Sequence, residues 1–155
     1  MPNWCENSLT IFGDKKTIEN LYKMALDIDD KGFFNQIVPR PLSEEENWYN
    51  WNAENWGTKW DVCSDGFDVE KIEGDNDDYS FQIYLETAWS PPMAFVTALC
   101  KKFKVSATLD YIEVGCDFVG TLEVEKEKVL LDQCQPITRE SLKYFGRDYD
   151  DYFFE

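Results

Sequence analysis

No histidine occurs in these 155 residues, so the side chain that most often serves as general base and metal ligand near neutral pH is missing. The phosphate-cradling patterns G-x-x-x-x-G-K and G-x-G-x-x-G are missing too, which removes the usual nucleotide-binding motifs. Nowhere do 18 or more apolar residues run together, so no membrane span is expected, and the N-terminus lacks the basic-then-apolar order of a secretory signal. A cytoplasmic protein is expected. The five cysteines, Cys5, Cys63, Cys100, Cys116 and Cys134, are odd in number, widely scattered and free of any C-x-x-C pair. That argues against a disulfide framework and against a zinc site; they read as reduced, mostly buried thiols.

Catalytic pairings are equally scarce. Glycoside-type chemistry needs only two carboxylates, but an acidic chain offers many pairs and no spacing singles one out. Cys5 falls on an expected strand and Cys63 has no histidine partner, so both read as buried thiols rather than nucleophiles. No catalytic residue is assigned, no metal or cofactor is expected, and a non-enzymatic role leads.

Basic residues are the other scarce class: 15 Lys and Arg stand against 31 Asp and Glu, a formal charge of −16. Nucleic-acid affinity comes largely from Lys and Arg neutralising phosphates, so direct nucleic-acid binding is not expected. Such a field steers a protein towards basic surfaces, and it also serves solubility alone.

What the chain has in excess is tryptophan, four of six lying in the stretch NWYNWNAENWGTKWD from Asn47 to Asp61. Large aromatics each bury roughly 150–250 Å² and can dominate a core or an interface, and both readings stay open. Ser43 followed by Glu46 has the spacing of a capping box, which predicts a helix start there with Trp48 and Trp51 on one face. Gly57 suits the left-handed residue that ends such a helix. Thr58, Trp60 and Val62 then alternate with Lys59 and Asp61, predicting a strand with Trp60 pointing inward.

The remaining chain reads in order as follows. Asn3 to Phe12 predicts an opening strand, and Asp14 caps a helix to about Asp27. Pro39 and Pro41 predict an extended connection over Phe33 to Leu42. Phe67 to Ile72 is a weak strand, the Glu73 to Asp78 loop turns back, and Tyr79 to Ala88 is a clear strand. Ser90 and Pro91 open a helix to about Phe103. Val105 to Tyr111 and Phe118 to Val124 form a hairpin, and Thr138 to Phe145 is a short helix. The tail RDYDDYFFE is a segment docked on the body or frayed in solvent, or else an acidic-aromatic binding motif. Length suits one domain over 1–155: a body over 1–125 with an insert at about 33–57, then an extension over 126–155. The order of elements fits an α+β, ferredoxin-like β-α-β-β-α-β sandwich with a Trp-rich helical insertion and a C-terminal extension.

Three segments together resemble the YubB-type ferredoxin-like proteins carried by phages, plasmids and prophages: PNWCEN with Leu9, Ile11 and Gly13; NWGTKWD from Asn55 to Asp61; and TAWSPP from Thr87 to Pro92. The resemblance spans most of residues 1–125 and leaves the tail after Asp132 unmatched. It implies a ferredoxin-like fold and a mobile-element accessory role, and it carries no catalytic residues.

Two functions of different class follow. The first is a non-catalytic accessory protein that binds a basic, nucleic-acid-binding host or defence protein, with inhibition as a nucleic-acid mimic as one form of that role. Its phosphate-like edge would be Asp65, Asp68, Glu70, Glu73, Asp75, Asp77 and Asp78. The alternative is a small-ligand binder or enzyme with a pocket beside the insert, formed by Trp48, Trp51, Asn55, Trp56, Lys59 and Asp61. No feature sets an oligomeric state.

Overall fold

Alternating burial organises the opening strand, β1 (Trp4–Gly13): Cys5, Asn7, Leu9 and Ile11 are buried on one face, while Trp4 and Phe12 stay exposed. The computed structural model describes residues 2–29 and 31–153. Asp14 turns the chain into α1 (Lys15–Leu26), its carboxylate accepting the Thr17 amide at 2.9 Å and the Thr17 hydroxyl at 3.0 Å. Ile18, Leu21 and Ala25 recur at helical spacing and are buried against the sheet.

The insert follows as α2 (Phe34–Ile37), a tight turn over Leu42–Glu44, and α3 (Trp48–Asn55). Then come β2 (Phe67–Val69), β3 (Glu73–Asp75), β4 (Asp78–Ala88), α4 (Met93–Phe103), β5 (Ser106–Glu113), β6 (Phe118–Glu125), β7 (Lys128–Gln135) and α5 (Arg139–Tyr144). The strands pair antiparallel in the order β2-β4-β1-β5-β6-β7, with β3 also on β4. The path β1-α1-β2-β4-α4-β5 therefore lays its strands out as a ferredoxin-like α+β sandwich. Helices α1 and α4 share one core with the inward residues of the sheet, where each fully buried Leu, Ile or Phe contributes about 1.5–3 kcal/mol. Ile112 and Val119 belong to a second apolar cluster with Leu142 of α5, against which Ile137, Phe145, Tyr149, Tyr152 and Phe153 pack. The acidic-aromatic tail is thus docked as far as Phe153; Phe154 and Glu155 lie outside the described residues.

The Ser43–Glu46 capping box does not start a helix: a single tight turn forms, and α3 begins at Trp48 with no side-chain cap. Leu42, Ser43, Glu45, Glu46 and Asn47 are all exposed, so no packed face prolongs that turn. The segment before Pro39 is not extended throughout, because Phe34–Ile37 is helical with Phe34 and Ile37 buried. Thr58 to Val62 is no strand; its polar groups pair with side chains and with Ala88 instead of a ladder, and Trp60 is 39% exposed. Trp56 is the tryptophan that fills the core, 2% exposed. Ser90 caps nothing: its hydroxyl donates to the Gly57 carbonyl at 2.6 Å, and α4 starts at Met93 after Pro92. Only Cys5 and Cys100 are buried, whereas Cys63, Cys116 and Cys134 are exposed.

Candidate functional site

The seven carboxylates from Asp65 to Asp78 lie along one margin of the sheet. Asp68 is on β2, the end strand of the pairing order; Glu73 and Asp75 are on β3; Asp78 starts β4. The turn between β3 and β4 is tight because Asn76 and Asp77 take left-handed φ of 52° and 64°, conformations that Asn and Asp tolerate. All seven side chains are exposed. The ion pairs among the described residues, Lys15–Glu19, Lys31–Asp27, Arg40–Glu45 and Arg139–Asp150, involve none of them. Asp75 faces Asp78 directly across the hairpin, a like-charge pairing that destabilises a ladder. Charge on a sheet edge also discourages pairing with another strand.

Beside the insert, Asp61 does the structural work. Its Oδ1 accepts the amides of Phe33, Phe34 and Val62, and its Oδ2 that of Asn35, at 2.8–3.1 Å. The start of α2 is thereby capped by a residue 26–28 positions downstream. Burial pushes the Asp61 carboxyl above its ordinary value, opposed by the Asn35, Phe34, Val62 and Phe33 amides. Asn52, buried on α3, donates to the Lys59 carbonyl at 2.8 Å and accepts from Arg40 Nη1 at 2.9 Å. The Trp56 indole donates to the Val38 carbonyl at 2.9 Å.

These groups border a cleft of about 550 Å³ that brings together Trp48, Trp56 and Asp61 of the expected pocket. Trp51, Asn55 and Lys59 are not part of it. Trp51 packs edge-on to Trp56, Asn55 bonds the Trp51 carbonyl at 2.9 Å, and Lys59 Nζ sits over the Trp60 and Tyr49 rings. The cleft instead recruits Arg40, Asn52 and Trp60. Asn52 was legible in principle, since it lies four residues from both Trp48 and Trp56 on one helical face; Arg40 gave no signal beyond its place between two prolines.

The buried thiols are poor nucleophiles, because burial pushes Cys5 and Cys100 each up to about 12. No group of three or more His, Cys, Asp or Glu among the described residues is placed to hold a metal ion, and none of their helices is long and apolar enough to cross a membrane.

Comparison with known proteins bears on the fold. A crystal structure of a protein api92 from Yersinia pseudotuberculosis is similar to this chain, with a TM-score of 0.51 and 13% sequence identity over 68% of this chain. The chain spans 40% of the length of that structure. No curated protein matches. Residues 66–144, which run from β2 through α5, match the family model described as the ferredoxin-like domain in Api92-like protein. The chain belongs to that family of ferredoxin-like domains.

Proposed function

We propose that the chain is a non-catalytic accessory protein of the YubB type, carried by a phage, plasmid or prophage, that binds a basic host or defence protein in the cytoplasm. The observation that carries this reading is the β2–β3 margin: seven exposed carboxylates free of ion pairs among the described residues, in a chain of formal charge −16. A row of unpaired carboxylates offers a basic, nucleic-acid-binding partner the charge pattern of a phosphate backbone. The test is capture of proteins on the immobilised chain, followed by a salt titration. Captured partners should be basic and released by salt, and amide replacement of Asp65, Asp68, Glu70, Glu73, Asp75, Asp77 and Asp78 should slow their association. Partners that are neither basic nor salt-released, or capture unchanged by the seven amides, would sink the reading.

The second reading, a small-ligand site, draws on the cleft in which Arg40 and Asn52 lie with Trp48 and Trp56. Aromatic walls with a few convergent polar groups suit a small planar molecule. Compounds of that kind should raise the melting temperature of the native chain and lose the effect in Asn52→Ala; a broad panel without any such shift would remove it.

A further inference from the structure

Trp4 and Trp60 are spared by the core and left 44% and 39% exposed. They come from the start of β1 and from the segment between α3 and β2, 56 residues apart in sequence, yet their ring centroids lie 6.4 Å apart with planes inclined at 43°. Both border a recess of about 470 Å³ whose walls also carry Asp61, Asp65 and Glu86. No lysine or arginine among the described residues lines it. Neighbouring exposed aromatics mark an interaction surface, and here the surface has a sign.

We propose that this recess is a cage for a cationic side chain, the ammonium of lysine or the guanidinium of arginine, presented by a protein partner. The proposal rests on the reading of the acidic margin given above and supplies that margin with its anchor. Indole faces are electron-rich and attract cations, tryptophan most of all. The chain already uses Trp60 in this way, holding Lys59 Nζ 4.6 Å from its ring centroid. Glu86 gives one oxygen to the Tyr84 hydroxyl at 3.1 Å and forms no ion pair among the described residues. An anion would meet the carboxylates of Asp65 and Glu86 beside that of Asp61, and a neutral apolar group would strip water from Asp65 and Glu86 without compensation; a cation satisfies both rings and carboxylates. Gly66 keeps the approach open, since a Cβ there would stand 2.8 Å from Glu86 Oε2. The recess is continuous with the acidic margin: Asp65 belongs to both, and the Glu86 amide donates to the Gly66 carbonyl at 2.9 Å beside β2.

The experiment titrates short, otherwise neutral peptides bearing one lysine, arginine, trimethyllysine or norleucine into the isotope-labelled full chain, following the indole N–H signals. The cationic peptides should move the Trp4 and Trp60 signals, leave Trp56 in place, and bind about tenfold tighter than norleucine, the order that a desolvated cation–π contact carries. Trp60→Ala and Glu86→Gln should each weaken the lysine peptide several-fold, and Trp60→Phe should retain part of the affinity. Equal binding of norleucine, or shifts confined to other tryptophans, would overturn the cage. Its failure is separable from that of the acidic margin. Amides at Asp68, Glu70, Glu73, Asp75, Asp77 and Asp78 leave the recess lining untouched; if they abolish partner capture while Trp60→Ala and Glu86→Gln leave it intact, the cage is overturned and the margin stands. If the lysine peptide binds at Trp60 while capture ignores those six amides, the margin falls and the cage stands.

Discussion

Asp61 accepts the backbone amide of Phe34 at 2.8 Å across 27 residues of sequence. Gly32, next to this contact, has φ +69°, and a Cβ there would run into the Asp61 carboxylate. Asp61→Asn leaves an amide N–H₂ where one oxygen accepted, facing either Asn35 or the other three donors. Loss of such a buried acceptor costs about 1–3 kcal/mol, to be read in denaturant melts. Gly32→Ala should also destabilise, and the double variant Gly32→Ala with Asp61→Ala should cost less than the two single changes added, because removing the carboxylate relieves the collision. Strict additivity would show that the two do not share this site.

Two tryptophans should respond very differently to truncation. Trp56→Ala empties a core position where the indole also bonds the Val38 carbonyl, and should cost about 3–5 kcal/mol. Trp60→Ala removes an exposed ring and should cost less than about 1 kcal/mol. A large loss for Trp60 would place it back in the core, where the alternation of Thr58, Trp60 and Val62 had put it.

That reversal shows what the sequence carries and what it does not. β1, α1, β4, α4 and the β5–β6 hairpin were legible because each has its own periodic apolar face. α2 was hidden because its cap comes from Asp61, far along the chain. β7 was missed because Leu131 and Gln133 alone are half-buried along it and every other position is exposed, leaving no alternation to read. Residues 58–62 have a strand's alternation, but side chains of Asn52, Thr58 and Asp61 take up backbone groups a ladder would have used. The acidic margin was visible since it is contiguous and rich in turn residues. The cleft was only half visible, because Arg40 reaches Asn52 by the fold of the insert rather than by spacing.

The cysteines divide by accessibility. Cys63, Cys116 and Cys134 should react with an aromatic disulfide reagent in the native protein at pH 8, while Cys5 and Cys100 wait for unfolding. Both buried thiols are held up to about 12, so the thiolate that attacks the reagent is absent as well as inaccessible. A native count of five would mean that the core opens readily.

Asp14 sets an acid limit on α1. The Thr17 amide, then its hydroxyl, holds the Asp14 carboxyl below the usual aspartate value. A depressed folded value means that the cap's contribution is present above the unfolded aspartate value and is lost as pH falls through the folded one. Carboxyl resonances followed by NMR should show Asp14 titrating below an unstructured aspartate, and Asp14→Asn should remove that step while keeping an acceptor for Thr17. An ordinary titration midpoint would mean the cap is not formed in solution.

Salt should stabilise this protein. Seven exposed carboxylates share one margin with no ion pair among the described residues, Asp75 opposes Asp78, and the formal charge is −16. The repulsion acts over a Debye length of about 30 Å at 0.01 M salt but only about 10 Å at 0.1 M. Raising sodium chloride across that range at pH 7 therefore screens the folded state, where the charges are held close, more than the unfolded chain. Relief of about 1–2 kcal/mol corresponds to a rise of roughly 2–8 °C in melting temperature for a chain of this size. Amide replacement of the seven carboxylates should raise the melting temperature at low salt and flatten its dependence on salt. A wild-type curve already flat would mean that the margin's charges are compensated in solution, and a steep curve surviving all seven replacements would locate the repulsion elsewhere on the surface.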